Sequence, residues 1–398
     1  MSAKALRRAT MDIQELFQSM VERNASDLYL TVARPSMYRI DGIIKPVGEH
    51  QYRPQELEEL ADSIMNDRQR QEFAETMEMN LAMALPNVSR FRVNVYRQRG
   101  SVGLVIRRVK AEIDSLAELG LPLILGDLAM TKRGLVLVVG ATGSGKSTTL
   151  AAMVDHRNSI ESGHIITIED PIEFVHRHKK SIVTQREIGF DTYSYQAALK
   201  NALRQAPDVI MIGEIRDTET MEAAITFAET GHLCLGTLHS NNANQAIERI
   251  LNFFPALRHA QIYLQLSLNL RAIISQRLIP SWDSGRVAVV EILMDTPRIK
   301  DLIKKGEVDI LKEGMEQGVQ EGCQTFDQAL FMLYKERRIG FDQAMINADS
   351  ANNLRLRIKL AGLKVDDDPQ EMPPIKTAAG QPKTVGASDP GVFRLRRN

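Results

Sequence analysis

Gly140–Ala141–Thr142–Gly143–Ser144–Gly145–Lys146–Ser147 fits the pattern G-x-x-x-x-G-K-[ST] without a mismatch. The stretch before it, Leu135 to Val139, is a short unbroken apolar run, as expected of a strand buried on both faces. The stretch after it, Ser147 to Val154, reads as an amphipathic helix. Strand, glycine-rich loop and helix together make a phosphate cradle. Glycines allow backbone N–H groups to turn inward as an anion nest, and the helix adds the positive end of its dipole. Residues Gly140, Ala141, Thr142, Gly143, Ser144, Gly145, Lys146, Ser147 and Thr148 are therefore assigned to nucleotide binding. Lys146 is placed to reach the β- and γ-phosphates of ATP, and the Ser147 hydroxyl to hold Mg²⁺ with phosphate oxygens and water.

The rest of the composition narrows the class. The chain has 398 residues, enough for two to three domains. Fifty basic residues balance fifty acidic ones, so no global field points to nucleic acid or anionic lipid. Cys234 and Cys323 form neither a CxxC pair nor a disulfide framework, which fits a reducing compartment. No apolar run approaches the roughly 20 residues of a membrane span. The basic start, Met1 to Arg8, is not followed by the long apolar stretch of a secretory signal. A soluble cytoplasmic protein is expected.

From the N-terminus, residues 12–23 have helical spacing and Asp27 to Val32 alternates like a strand. Tyr38 to Val47 reads as a hairpin turning at Asp41–Gly42. Two helical stretches follow, Pro54 to Met65 and Asp67 to Glu75, then strands at Asn80–Leu85, Arg90–Arg97 and Val102–Val109. This is a small α+β domain over 1–110, with a linker at 111–118. From 119 to 365 strands and helices alternate, the signature of a mostly parallel sheet. The expected strands are Leu135–Val139, Ile165–Ile168, Val209–Ile212, Leu233–Gly236 and Val287–Leu293, and the expected helices include Thr218 to Thr230, Ala243 to Phe254 and Gln261 to Gln276. Residues 366–398 hold five prolines, three glycines and little apolar content, and read as a disordered tail.

Three strand ends offer chemistry to the phosphate site, because ligands of open α/β sheets bind at the carboxyl ends of the strands. Ile168–Glu169–Asp170–Pro171–Ile172–Glu173–Phe174 places three carboxylates on a loop, since Pro171 disfavours a helical Asp170. Asp208–Val209–Ile210–Met211–Ile212–Gly213–Glu214 is an apolar strand delivering an acid, a Walker B pattern in which Gly213 stands where the magnesium-binding Asp usually does. Glu214 is then left to orient or deprotonate the attacking water. Gly231 to His239 carries His232 and His239 at the two ends of a strand, a spacing that suits hydrogen bonding and not zinc. Strand arginines, Arg90, Arg92, Arg107 and Arg108, are candidates to neutralise transition-state charge, although solvation is the default for such residues.

Taken together, GATGSGKSTT (140–149), TIEDPIEF (167–174), VIMIGEIRD (209–217) and GHLCLGTLHS (231–240) resemble the P-loop, Asp box, Walker B and His box of the secretion-ATPase (GspE) superfamily. Within it, ASDLYLTVARPSMYRIDG (25–42) and RFRVN (90–94) extend the likeness to the type IV pilus retraction ATPases, the PilT/PilU family, over about residues 11–350. The resemblance implies a RecA-like P-loop ATPase domain, a smaller N-terminal PAS-like α+β domain and a homohexameric ring at the inner-membrane pilus base. It also implies a pilus platform protein as partner, and no nucleic acid. By the same likeness Glu173 is the Asp-box catalytic glutamate, Glu214 the Walker B glutamate, His232 and His239 the His box, and Arg92 and Arg107 the arginine fingers. The chain lacks the tetracysteine zinc module of assembly and type II secretion motors, which favours retraction over that alternative.

Two departures bear on the role. Ala141 replaces a Pro common at that loop position. Thr296–Pro297–Arg298–Ile299–Lys300–Asp301–Leu302–Ile303 stands where PilT-type motors carry Ala-Ile-Arg-Asn-Leu, and keeps only its hydrophobic spacing. That leans toward a PilU-type accessory motor working with a partner retraction ring. The rival readings are a pilus assembly or type II secretion ATPase and an adaptor that uses nucleotide only to join another motor.

Overall fold

A computed structural model describes residues 12–363 except 41, 86–88, 110, 111 and 284. Residues 366–398, expected as a disordered tail, and Asp41 of the expected turn lie outside the described residues.

The first sheet has six strands: β1 Asp27–Leu30, β2 Ser36–Ile40, β3 Ile43–Val47, β4 Glu78–Leu85, β5 Ser89–Gln98 and β6 Ser101–Val109. Their order is β3-β2-β1-β6-β5-β4, with every pairing antiparallel. Period-two alternation is clearest on β5. Phe91, Val93 and Val95 are fully buried, while Arg90, Arg92 and Asn94 lie on the other face, half-buried. The helices Ile13–Glu22 and Pro54–Ile64 pack into that core together with Phe73 and residues of the neighbouring strands, and Phe17 stacks on Phe91 with ring centroids 4.0 Å apart. One face of the sheet is thus committed to packing and the opposite one presents arginines.

The second sheet has seven strands in the order β13-β12-β7-β11-β10-β8-β9. They are β7 Gly134–Val139, β8 His164–Glu169, β9 Ile182–Glu187, β10 Val209–Ile212, β11 Leu233–Leu238, β12 Leu270–Pro280 and β13 Arg286–Met294. All run parallel except β13, which returns antiparallel along β12. The central strands are apolar on both faces because helices cover both. Leu135, Leu137 and Val139 pack with the helices Thr218–Glu229, Ala243–Leu251 and His259–Asn269. Val136 and Val138 pack on the other side with Ile124–Ala129 and Lys146–Ile160.

The structure corrects one expected helix. Gln261 to Gln276 is split, so that the helix His259–Asn269 ends where β12 begins. Ala272, Ile273 and Ile274 are fully buried beside β7, and two adjacent β-branched residues suit a pleated strand covered on both faces. The sequence reading assigns no element to 182–187 or 195–202. The structure forms the polar edge strand β9 and the helix Tyr195–Ala202 there. Pro297–Lys305 is a helix whose Ile299, Leu302 and Ile303 are buried, so the apolar spacing in that departure is spent on core packing.

Leu137 is fully buried in the strand that leads into the glycine loop. Leu137→Ala is expected to lower unfolding stability by about 2–5 kcal/mol through lost burial and a residual cavity, measured by urea unfolding.

Candidate active site

Parallel strands place their carboxyl ends along one edge, and β12 and five others do so here. β7 ends at the glycine loop, β8 at Asp170, β9 at Glu187, β10 at Gly213–Glu214 and β11 at His239. A crevice of about 460 Å³ opens at that edge, lined by Lys146, Ser147, Glu173, Glu214 and His239 among others.

The loop is shaped by backbone that only glycine accepts readily. Gly143 and Gly145 have φ of 78° and 93°. At Gly145 a Cβ would also lie 2.8 Å from the Gln276 amide nitrogen, and at Gly140 it would lie 2.4 Å from Ser144 Oγ. The floor is tied from a distant strand, since Thr149 Oγ1 donates to Gln276 Oε1 over 2.7 Å in the interior. Lys146 is buried, and its ammonium donates to the Gly140 and Ala141 carbonyls at 2.8 and 3.0 Å. Burial pushes its pKa below the ordinary value, while the Glu214 carboxylate pushes it back up. Thr142, Gly143, Gly145, Ser147 and Thr148 line the crevice. Gly140 and Ala141 face a shallower depression shared with His239.

Glu214 and His239 meet, with Oε1 and Nε2 3.3 Å apart. Glu173 lines the same crevice, half exposed, and Arg92 Nη1 of the first sheet stands 3.8 Å from its Oε1. Asp170 is held at 2.7 Å by Arg216. Glu169 is buried behind them, accepting from Thr167 Oγ1 at 2.7 Å and Gln185 Nε2 at 3.1 Å. Burial raises its pKa, and those two hydrogen bonds oppose the rise. Gly213 has a steric reason to lack a side chain, because a Cβ would lie 3.1 Å from Glu169 Cα and 3.2 Å from the Ile168 carbonyl.

Three expected catalytic residues do not line the crevice: His232, Arg107 and Arg92, of which Arg92 alone reaches toward it, at Glu173. His232 precedes β11, so a strand of six residues, about 20 Å long, separates it from the ligand edge. Its ring nitrogen sits instead 3.1 Å from Thr230 Oγ1 and 3.3 Å from the Phe227 carbonyl, closing a helix end. Arg107 is the cross-strand neighbour of Arg92, but its Nε donates to buried Asp27 at 2.8 Å. It lines a separate cleft, with Arg92, against the first sheet.

Arg286 and Leu278 line the crevice without having been expected there. The antiparallel return pairs Pro280 with Arg286 and so carries Arg286 to the ligand edge. Nothing local to these residues signals this. Only the pairing of β12 with β7 does, and that pairing spans more than a hundred residues.

The donors suit a nucleoside polyphosphate: inward-turned glycine backbone, a helix amino terminus, a lysine and a neighbouring hydroxyl. No group of three or more His, Cys, Asp or Glu side chains among the described residues could hold a metal by itself. A magnesium ion would therefore need Ser147 together with oxygens from a bound polyphosphate.

The family model described as "Type II/IV secretion system protein" matches residues 3–333. The chain belongs to that family. This type II/IV secretion family member is 54% identical to the type IV pilus ATPase PilU of Pseudomonas aeruginosa, over 90% of its own length and 94% of the relative's. It is 42% identical to the type IV pilus retraction ATPase PilT of the same organism, over 86% of itself and all of the relative. Among solved structures, the crystal structure of the pilus retraction motor PilT with bound ADP matches with a TM-score of 0.81 at 43% identity, covering 87% of this chain and 99% of that one. The fold is accordingly α/β, a RecA-like ATPase sheet with an additional N-terminal α+β sheet. No helix among the described residues is long and apolar enough to cross a membrane.

His176 lines the crevice, buried, and its Nδ1 lacks a hydrogen-bond partner. Burial lowers its pKa from 6.5 to about 4, with Asp155 opposing the shift. The folded state thus binds fewer protons than the unfolded chain between these values. This contribution is fully present above about pH 6.5 and is lost as pH falls toward about 4, by about 3 kcal/mol in all. His176→Leu is expected to flatten that part of the stability–pH curve, measured by urea unfolding across the range.

Proposed function

We propose that this protein is a Mg²⁺-dependent ATPase that powers type IV pilus retraction and twitching motility as a PilU-type accessory motor. One observation carries the reading: Lys146, Glu173, Glu214 and His239 converge on a single crevice at the carboxyl edge of a RecA-like sheet. The likeness to PilU and PilT over most of the chain supports the cellular role.

In the proposed reaction the loop N–H groups and Lys146 hold the phosphates of ATP, Ser147 would hold magnesium, which would supply charge neutralisation, and attack of water on the γ-phosphorus breaks its bond to the bridging oxygen of departing ADP. Lys146 exchanges two loop carbonyls for phosphate oxygens. Glu214 orients the attacking water and accepts its proton, held in place by His239. Glu173 contributes a second carboxylate to the same water, and Arg92 brings positive charge from the first sheet. Residues 1–110 and 119–365 act as two domains whose relative angle changes with the nucleotide, in a homohexameric ring on the pilus platform at the cytoplasmic side of the inner membrane, engaging a partner retraction motor. Arg107 serves this site only if it leaves Asp27, and His232 acts at a distance or across a ring interface.

Lys146→Ala is expected to abolish hydrolysis, measured as phosphate release. Glu214→Ala should keep ATP affinity and lose turnover by about a hundredfold or more, measured by nucleotide binding beside phosphate release. Deleting the gene should leave surface pili present and twitching impaired. Absence of pili would instead favour the assembly or secretion alternative, and a purified protein without ATPase activity, alone or with a partner motor, would favour the adaptor.

A further inference from the structure

Glu173 has few side-chain contacts for a residue read as acting on one water. Its side chain is half exposed, and the cation beside it is 3.8 Å away. What is fixed is the peptide in front of it. Arg92 Nη2 donates to the Ile172 carbonyl. On the other side the Ile172 N–H donates to Glu187 Oε2 over 3.4 Å. Glu187 is only 2% exposed, at the end of β9, and the same Oε2 accepts from Arg90 Nη2 at 3.0 Å. Arg90 and Arg92 are two apart on β5, so both project from one face of the first sheet. Both peptide groups of Ile172 are therefore gripped by one strand of the other sheet, directly by Arg92 and through Glu187 by Arg90.

We infer that Glu187, charge-paired with Arg90, is a positioning residue that sets Glu173 in register with the first sheet, so that displacement of that sheet displaces the carboxylate. The inference rests on the ATPase reading above and adds a residue pair to it. A buried carboxylate is costly without a partner, and its partners here are an arginine from the other sheet and the peptide of the acidic loop. This pair joins the two sheets at the one loop that carries Glu173.

The test measures kcat, KM for ATP, ADP affinity and sedimentation for the full-length chain with Lys146→Ala as the background control. Glu187→Ala should lower kcat by about tenfold or more while KM and ADP affinity stay within about twofold. Glu187→Gln keeps an acceptor for the Ile172 N–H and loses the charge pair, so it and Arg90→Ala should show smaller, matching losses. Glu187→Ala added to Glu173→Gln should cost nothing further, because the effect runs through Glu173. Losses that multiply in that double variant, or a kcat change below about twofold, would overturn the inference while leaving the ATPase reading intact. Loss of nucleotide binding or assembly in both Glu187 variants would also overturn it, since the pair would then be structural. A wild-type chain without Lys146-dependent hydrolysis would overturn both.

Discussion

The shared direction of β7, β8, β10 and β11 is the constraint from which the site follows. Each strand delivers whatever succeeds its last residue to one edge, and hydrogen-bonded register fixes the depth. Register also explains why short loops suffice. Gly213–Glu214 follows β10 directly, with Ile212 paired to Ile168 on one side and Gly236 on the other, so Glu214 enters between the acidic loop and His239. The crevice needs no long insertion to bring its acids together, because the sheet has already aligned them.

The first sheet answers with the opposite use of periodicity. Alternation on β5 sends Phe91, Val93 and Val95 into a packed core and leaves Arg90 and Arg92 facing the acidic loop. The back of the strand that carries these arginines is stacked against Phe17, which ties their backbone to the sheet. Among the described residues, the contacts from β5 to the acidic loop and β9 are made by arginines, to carboxylates and to one backbone carbonyl.

How much of this was legible in the sequence depended on distance along the chain. Glycine loop, Glu173, Glu214 and His239 each stand within a few residues of an apolar run, and a strand followed by chemistry is a local pattern. His232 shows where local reading ends. It has the same residue type and the same strand as His239, but the direction of β11 sends it to the far edge. Arg286, Gln276 and Glu187 were beyond reach for a related reason. Their placement depends on β12 and β9, one of which reads as a helix by period alone and the other of which is a polar edge strand. Gly213 is the reverse case: the sequence shows an acid missing, and the packing against Glu169 shows that a side chain there would be tight against the neighbouring backbone.

Lys146 carries one more consequence. Its ammonium already has two oxygen partners within its own loop, so an incoming anion does not meet a bare charge. A lone phosphate or chloride would have to outcompete those carbonyls with little to offer in return. A polyphosphate brings several oxygens at once and engages the backbone nest and the helix terminus in the same event. Those two contacts are a cost that any incoming anion would have to offset, and one met more readily by a ligand that brings several oxygens.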